Sequence, residues 1–339
     1  MKNILLLGTG HVGKIFAQLA ANEFKICVFD AFPAVKGFPI LTKASLEELT
    51  PTDLSPFDIV VNCLPVSHND RILLLVAESK CKGYVDLSTN SLDVPEHFMY
   101  QHHFADGLLI ANTGIAPGLD NLLITYLIKK GARKIQVYVI EHVFADKVTL
   151  ASWCEEDALI SLHDLPISCT QGAIKQHNNF SDPEEVSTTQ GRFVCYRFFG
   201  EEILTLGKKF DWVDIDFKVG GSEIEAARQL FLAESARKKT DDTLEIAIGA
   251  DKETDGIFGI KIMSDVGSLE VFLKSTHQLK QEGYMGNHIS FHTAYVSYTM
   301  LRTCLKNNLT GLYFPEMLPE NIQIEILQQI KKHSYIWKL

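Results

Sequence analysis

The sequence contains no run of about 18 apolar residues, the length a helix needs to cross a bilayer, so no membrane partner is expected. It has no excess of positive charge. The formal net charge is −10, which argues against a nucleic-acid partner, because such a surface must be basic. The seven cysteines are odd in number and include no C-x-x-C pair. Neither a disulfide framework nor a redox dithiol is implied, and a reducing, cytoplasmic setting is expected. Zinc-ligand spacing is missing too. His102 and His103 adjoin, but no cysteine or acid sits beside them at ligand spacing, so no metal is expected. There is no internal repeat and no low-complexity tract. The opening apolar run is too short for a secretory leader and passes straight into a glycine turn.

What is present begins with that turn. Residues Lys2 to Asp30 read as strand, glycine turn, helix and strand. Ile4 to Leu7 is apolar without alternation, as a strand buried on both faces should be. Gly8, Gly10 and Gly13 spell G-x-G-x-x-G. In a dinucleotide-binding turn the first glycine permits the bend and the second admits a pyrophosphate to the backbone. The third lets the helix pack on the strand. The helix opening at His11 and Val12 would point its N–H groups and positive end at that phosphate. Asp30 follows the second strand about 20 residues on, where a carboxylate accepts the ribose hydroxyls of NAD and repels the 2′-phosphate of NADP. NAD is therefore the expected cofactor. NADP stays open, because Lys36 could meet a phosphate if its loop folds back.

Further strands and helices then alternate at the spacing of a parallel, doubly wound sheet. Strands are expected at Phe57–Leu64, from Gly83 and over Leu108–Asn112, with a helix over Ile72–Glu78. Ligands in such sheets lie off the carboxyl ends of the strands. That topology makes Leu64, Pro65, Asp86, Ser88 and Gly114 candidate site residues beside the glycine turn. Asn112 to Asn121, NTGIAPGLDN, leaves a strand, turns and opens a helix. Asp120 and Asn121 in its mouth are candidates to hold an amino-acid substrate.

From Lys134 the character changes. Strands are expected at Lys134–Glu141, Lys147–Trp153, Arg192–Phe199 and Asp211–Val219, and a hairpin joins Thr243–Ile248 to Ile257–Ile262. Helices are expected at Glu223–Lys238, Gly267–Gln281, His288–Cys304 and Asn321–Lys332, and a loop over His177–Thr189. Successive strands without intervening helices imply a second, α+β domain. Asp86 at a strand end could bind a substrate amine, and His142 is the histidine best placed for proton transfer. Arg192 and Arg197 could pair with a substrate carboxylate. Cys63 reads as packing, since nothing nearby would lower its pKa.

Several stretches together resemble the saccharopine dehydrogenase superfamily in its reductase-type branch, which includes lysine 6-dehydrogenase, saccharopine reductase and carboxynorspermidine dehydrogenase. They are GTGHVG at Gly8–Gly13, DIVVNCLP at Asp58–Pro65, YVDLS at Tyr84–Ser88 and GIAPGLDNLL at Gly114–Leu123, with GLYFPE at Gly311–Glu316 a weaker echo. The resemblance implies a Rossmann domain, residues 1–115, closed by C-terminal helices in residues 288–339. It implies an inserted α+β domain, residues 116–287, carrying the substrate cleft and a homodimer interface. The implied reaction is hydride transfer between NAD(P) and the carbon of a C–N bond in an amino acid or polyamine conjugate. PISCTQGAIKQ, from Pro166 to Gln176, departs from the family pattern and leaves the substrate undecided. Two other readings stay open. One is a non-catalytic NAD(P)-binding sensor. The other is an aspartate- or homoserine-type dehydrogenase, which would need a catalytic lysine such as Lys147 or Lys175.

Overall fold

The structure is a computed structural model describing residues 1–31, 35–87, 99–144, 149–150, 155–237, 247–248 and 254–338. The chain divides into two compact units. The first is Met1–Leu122 with Ser290–Lys332, and the second is Leu123–Ile289 with His333–Leu339.

The first unit is built on a six-stranded sheet. Its strands are β1 (Asn3–Leu7), β2 (Lys25–Phe29), β3 (Ile59–Asn62), β4 (Gly83–Asp86), β5 (Leu108–Ile110) and Gly311–Tyr313. All pairings are parallel, in the order β2, β1, β3, β4, β5, then Gly311–Tyr313. Strands β3, β4 and β5 are buried at every position, which is why they read as unbroken apolar runs. Helix α1 (Gly13–Ala20) lays Ile15, Phe16, Ala17 and Ala20 inward. Phe16 meets Tyr298 edge to face at 6.4 Å between centroids. The strand order reverses at β1, so the crevice lies off the carboxyl ends of β1 and β3. This is the expected α/β, doubly wound fold.

The second unit holds a nine-stranded mixed sheet. Its central strand, Lys134–Val143, runs parallel to Asp214–Gly220 and antiparallel to Gly256–Ser264. Helix Ser222–Arg237 follows the second of these strands.

Several expectations are corrected here. Gly267–Gln281 is not one helix. Gly267–Leu273 is a strand paired with Gly256–Ser264, and the helix is only Thr276–Gln281, opened by a Ser275 capping box. Of the expected hairpin between Thr243–Ile248 and Ile257–Ile262, residues 243–246 lie outside the described residues, and Ile257–Ile262 pairs with Lys134–Val143. Ala247–Ile248 pairs in parallel with Thr149–Leu150 instead. The expected loop His177–Thr189 contains an edge strand, Glu184–Thr188, of which only Val186 is buried. Ser334–Lys338 pairs with Gly267–Leu273 in the second sheet, so the return to the first unit ends before that strand. Most of the expected strand Lys147–Trp153, with Lys147 itself, lies outside the described residues.

Candidate nucleotide site

Two of the three glycines in the turn are demanded by the protein itself. Gly8 has φ +84°, and a Cβ there would lie 2.7 Å from the Cys63 carbonyl oxygen. Gly13 is held tighter still, with a Cβ only 2.0 Å from the Gly8 carbonyl oxygen. Gly10 differs: among the described residues, a Cβ built on it would meet nothing within 4 Å. Packing therefore explains the first and third glycines and leaves the second over open space.

The surroundings suit an anion. Helix α1 starts at Val12 with no side-chain cap and no acidic residue in its first turn. Its positive end is not neutralised by its own side chains. His11 and Val12 are half-buried in this turn. Leu64 and Pro65 follow β3 on the side of the glycine turn, the Leu64 N–H donating to Asn62 Oδ1 at 3.2 Å. Asp30, just past β2, receives the Thr9 N–H at 2.6 Å and the Thr9 hydroxyl at 2.8 Å on Oδ2. The acid thus fastens the turn to the end of β2. The sequence reading missed Thr9, although its place between the first two glycines was the available signal. An open Gly10, an uncapped helix start and a carboxylate at the end of β2 together fit the pyrophosphate and ribose of a dinucleotide. Lys36 is exposed in the loop beyond Asp30.

Other expected site residues are placed differently. Asp86 is 1% exposed. Its Oδ2 accepts the Tyr84 hydroxyl at 3.0 Å, while the Tyr84 oxygen accepts Asn62 Nδ2 at 3.2 Å. Its carbonyl accepts the Thr113 N–H and hydroxyl. The expected catalytic role of Asp86 is corrected to an internal strut. The neighbouring Cys63 thiol is pushed well up by burial and by Asp86, which agrees with packing rather than nucleophilic chemistry.

Asp120 and Asn121 are both fully buried. Asp120 Oδ1 accepts the Gly118 and Asn121 N–H groups at 2.9 and 2.8 Å. Asn121 Oδ1 also accepts the Gly118 N–H, and its amide donates to Glu316 Oε2 at 2.9 Å. Their expected substrate role is corrected: they tie GIAPGLDN to GLYFPE. Gly114 is buried too, with a Cβ position 3.1 Å from the Leu87 and Pro117 carbonyl oxygens. These approaches make it part of a tight turn.

Arg192 stands on the surface of the second unit beside Glu185 at 3.4 Å, an exposed pair of little energetic weight. Nothing beyond that pair is shown to hold it, so its expected substrate role gains no support. Arg197 is already engaged by Asp182 and Asp216. His142 also belongs to the second unit, edge-on to Phe144 and Phe193. Burial lowers its pKa, so the ring is neutral at pH 7 and able to accept a proton. Ser88 lies outside the described residues.

No protein-family model and no curated protein sequence matches the chain. Solved structures do. Saccharopine dehydrogenase (L-Glu forming) from Saccharomyces cerevisiae superposes with a TM-score of 0.71 at 14% identity, covering 100% of this chain and 99% of that one. Homospermidine synthase from Legionella pneumophila, in complex with NAD, gives 0.68 at 12% identity, covering 99% and 90%. The DAP dehydrogenase of C. glutamicum, in complex with DAP, gives 0.51 at 11% identity, covering 95% of each chain. At such identities the likeness is one of fold. The chain has the fold of saccharopine dehydrogenase and homospermidine synthase, the fold its motifs resemble.

The two kinds of glycine are separable by mutation. Gly10→Val is expected to keep the wild-type melting temperature and lose NADH binding in a fluorescence titration. Gly13→Ala is expected to lose roughly 1–3 kcal/mol in chemical denaturation, because its Cβ overpacks the turn. Asp30→Ala should weaken NADH more than NADPH, narrowing any preference by roughly 1–2 kcal/mol, the scale of a charged hydrogen bond. Parallel titrations of both cofactors measure it, and an unchanged ratio contradicts it. Asn121→Ala should cost about 1–3 kcal/mol of stability by stripping a bond from a buried carboxylate. Its NADH affinity should stay at the wild-type value.

Proposed function

We propose that this chain is an NAD(P)-dependent oxidoreductase acting on the C–N bond of an amino acid or an amino-acid/polyamine conjugate. The observation that carries the reading is the open space at Gly10 between two glycines that packing fills. A turn needed only for folding would not call for a bare backbone there. Gly8 to Gly13 would hold the pyrophosphate, Leu64 and Pro65 would flank it, and Asp30 would receive the ribose hydroxyls, favouring NAD over NADP. When bound, the nicotinamide supplies the hydride acceptor or donor. His142, neutral at pH 7, would take up a proton in the oxidative direction. The fold shared with saccharopine dehydrogenase and homospermidine synthase supports an amine-bearing substrate. A homodimer in the cytoplasm belongs to the same reading.

One observation favours a second reading, a dinucleotide-binding protein without turnover. Asp86 and Asp120, the acids expected to serve catalysis or substrate binding, are spent inside the first unit. Turnover separates the two readings. NADH fluorescence is followed with lysine, with saccharopine, with diamines plus aspartate semialdehyde, and with keto acids plus amines. Cofactor oxidation or reduction with one of these is expected. Tight NADH binding with no turnover across the set would replace the enzyme by the sensor.

A further inference from the structure

The row of strand ends that begins at the glycine turn continues across the first sheet to β5, and one side chain there is left over. Asn112 stands just past β5. It is 0% exposed, and among the described residues neither its Oδ1 nor its Nδ2 has a hydrogen-bond partner. A buried carboxamide ordinarily uses both atoms, because a stranded polar group carries its full desolvation penalty. The chain on either side is fixed. The Ala111 N–H donates to the Tyr313 carbonyl oxygen and the Thr113 N–H to the Asp86 carbonyl oxygen, each at 3.1 Å. The Thr113 hydroxyl lies 2.9 Å from that same Asp86 oxygen and 2.9 Å from Ser297 Oγ. The backbone that carries Asn112 is therefore held, and its amide stays unpaired.

Backbone conformation accounts for only part of this residue. Asn112 has φ +57°, in the left-handed region that asparagine tolerates better than most residues. Glycine would meet the same demand without polar atoms to strand. The turn explains a permissive residue and leaves the carboxamide unexplained.

Its place in the sheet narrows the group that could use it. The strand order β2, β1, β3, β4, β5 puts Asp30 at one end of the row and Asn112 toward the other. A dinucleotide lies across the crevice where the order reverses, with one mononucleotide half on each side. Asp30 takes the adenosine ribose, so the nicotinamide half falls on the side of β4 and β5. β5 stands two strand spacings, about 10 Å, past β3.

The chemistry agrees with that placement. A carboxylate would use only Asn112 Nδ2, and an ammonium group only Oδ1, and either would leave the other atom stranded. A primary carboxamide presents an acceptor and a donor side by side and uses both. Adenine presents such a pair too, but it belongs to the Asp30 side. We propose that Asn112 recognises the nicotinamide carboxamide of the cofactor through a reciprocal pair of hydrogen bonds. The proposal rests on the NAD(P) reading and adds to it a side chain that selects the reacting end of the cofactor. The amide is covered as well as unpartnered, so the nicotinamide displaces its cover on entering.

Calorimetric titration of the full chain with three probes tests it: NADH, reduced 3-acetylpyridine adenine dinucleotide, and ADP-ribose. The acetyl group keeps the carbonyl and lacks the N–H donors, and ADP-ribose lacks the nicotinamide. Wild type should bind NADH about tenfold tighter than the acetylpyridine analogue, the worth of one hydrogen bond to a buried acceptor. Asn112→Gly keeps a backbone suited to the left-handed turn. It should bind NADH about tenfold more weakly, bind the two dinucleotides equally, and hold ADP-ribose at the wild-type affinity. Should that variant fail to fold, Asn112→Asp keeps the shape and gives up the donor. It should weaken both dinucleotides and leave ADP-ribose unchanged. Equal binding of the two dinucleotides by wild type, an unchanged preference in Asn112→Gly, unchanged NADH affinity in Asn112→Asp, or an ADP-ribose affinity that falls in step with NADH overturns the proposal and leaves the NAD(P) reading standing. Failure of wild type to bind any of the three overturns both.

Discussion

The Gly8 carbonyl oxygen is the point on which the glycine turn depends. Helix α1 reaches it so closely that residue 13 has no room for a side chain. Gly8 in turn lies against the Cys63 carbonyl oxygen, which draws together the loops after β1 and β3 where the strand order reverses. Once these two approaches are made, the backbone at Gly10 faces space that no described residue fills. Thr9 then pins the turn to Asp30 and so to β2. Steric contacts of the backbone build the site, and the side chains secure it.

The polar residues at this edge of the sheet divide by burial. Asp86, Asp120, Asn121 and Glu316 are closed to solvent, and each must spend its polar atoms inside the chain. Asn121 and Glu316 are 195 residues apart in sequence, and their hydrogen bond joins two of the motifs that carry the family resemblance. These two motifs therefore make a fold contact with each other. In the second unit, His288 shows the opposite condition: it is 1% exposed, and its Nε2 has no hydrogen-bond partner among the described residues.

The order from β1 through β2 was legible because its determinants are local: an unbroken apolar run, three glycines and a helix period. The parallel strands that follow were legible for the same reason. Gly267–Leu273 was not, because SLEVFL fits either period and only its pairing with Gly256–Ser264 decides. Glu184–Thr188 was hidden by being an edge strand with a single buried side chain. In the site, the glycines and Asp30 could be read from spacing. The fates of Asp86, Asp120, Asn121 and Gly114 could not, since spacing places a residue at a strand end without telling whether it is covered.

The most direct measurement is amide hydrogen exchange with and without NADH, resolved to the segment Gly8–Lys14. The account predicts slowed exchange there and at Phe29–Asp30 when NADH is added. Unchanged exchange across that turn, at NADH concentrations that saturate any other signal, would contradict it.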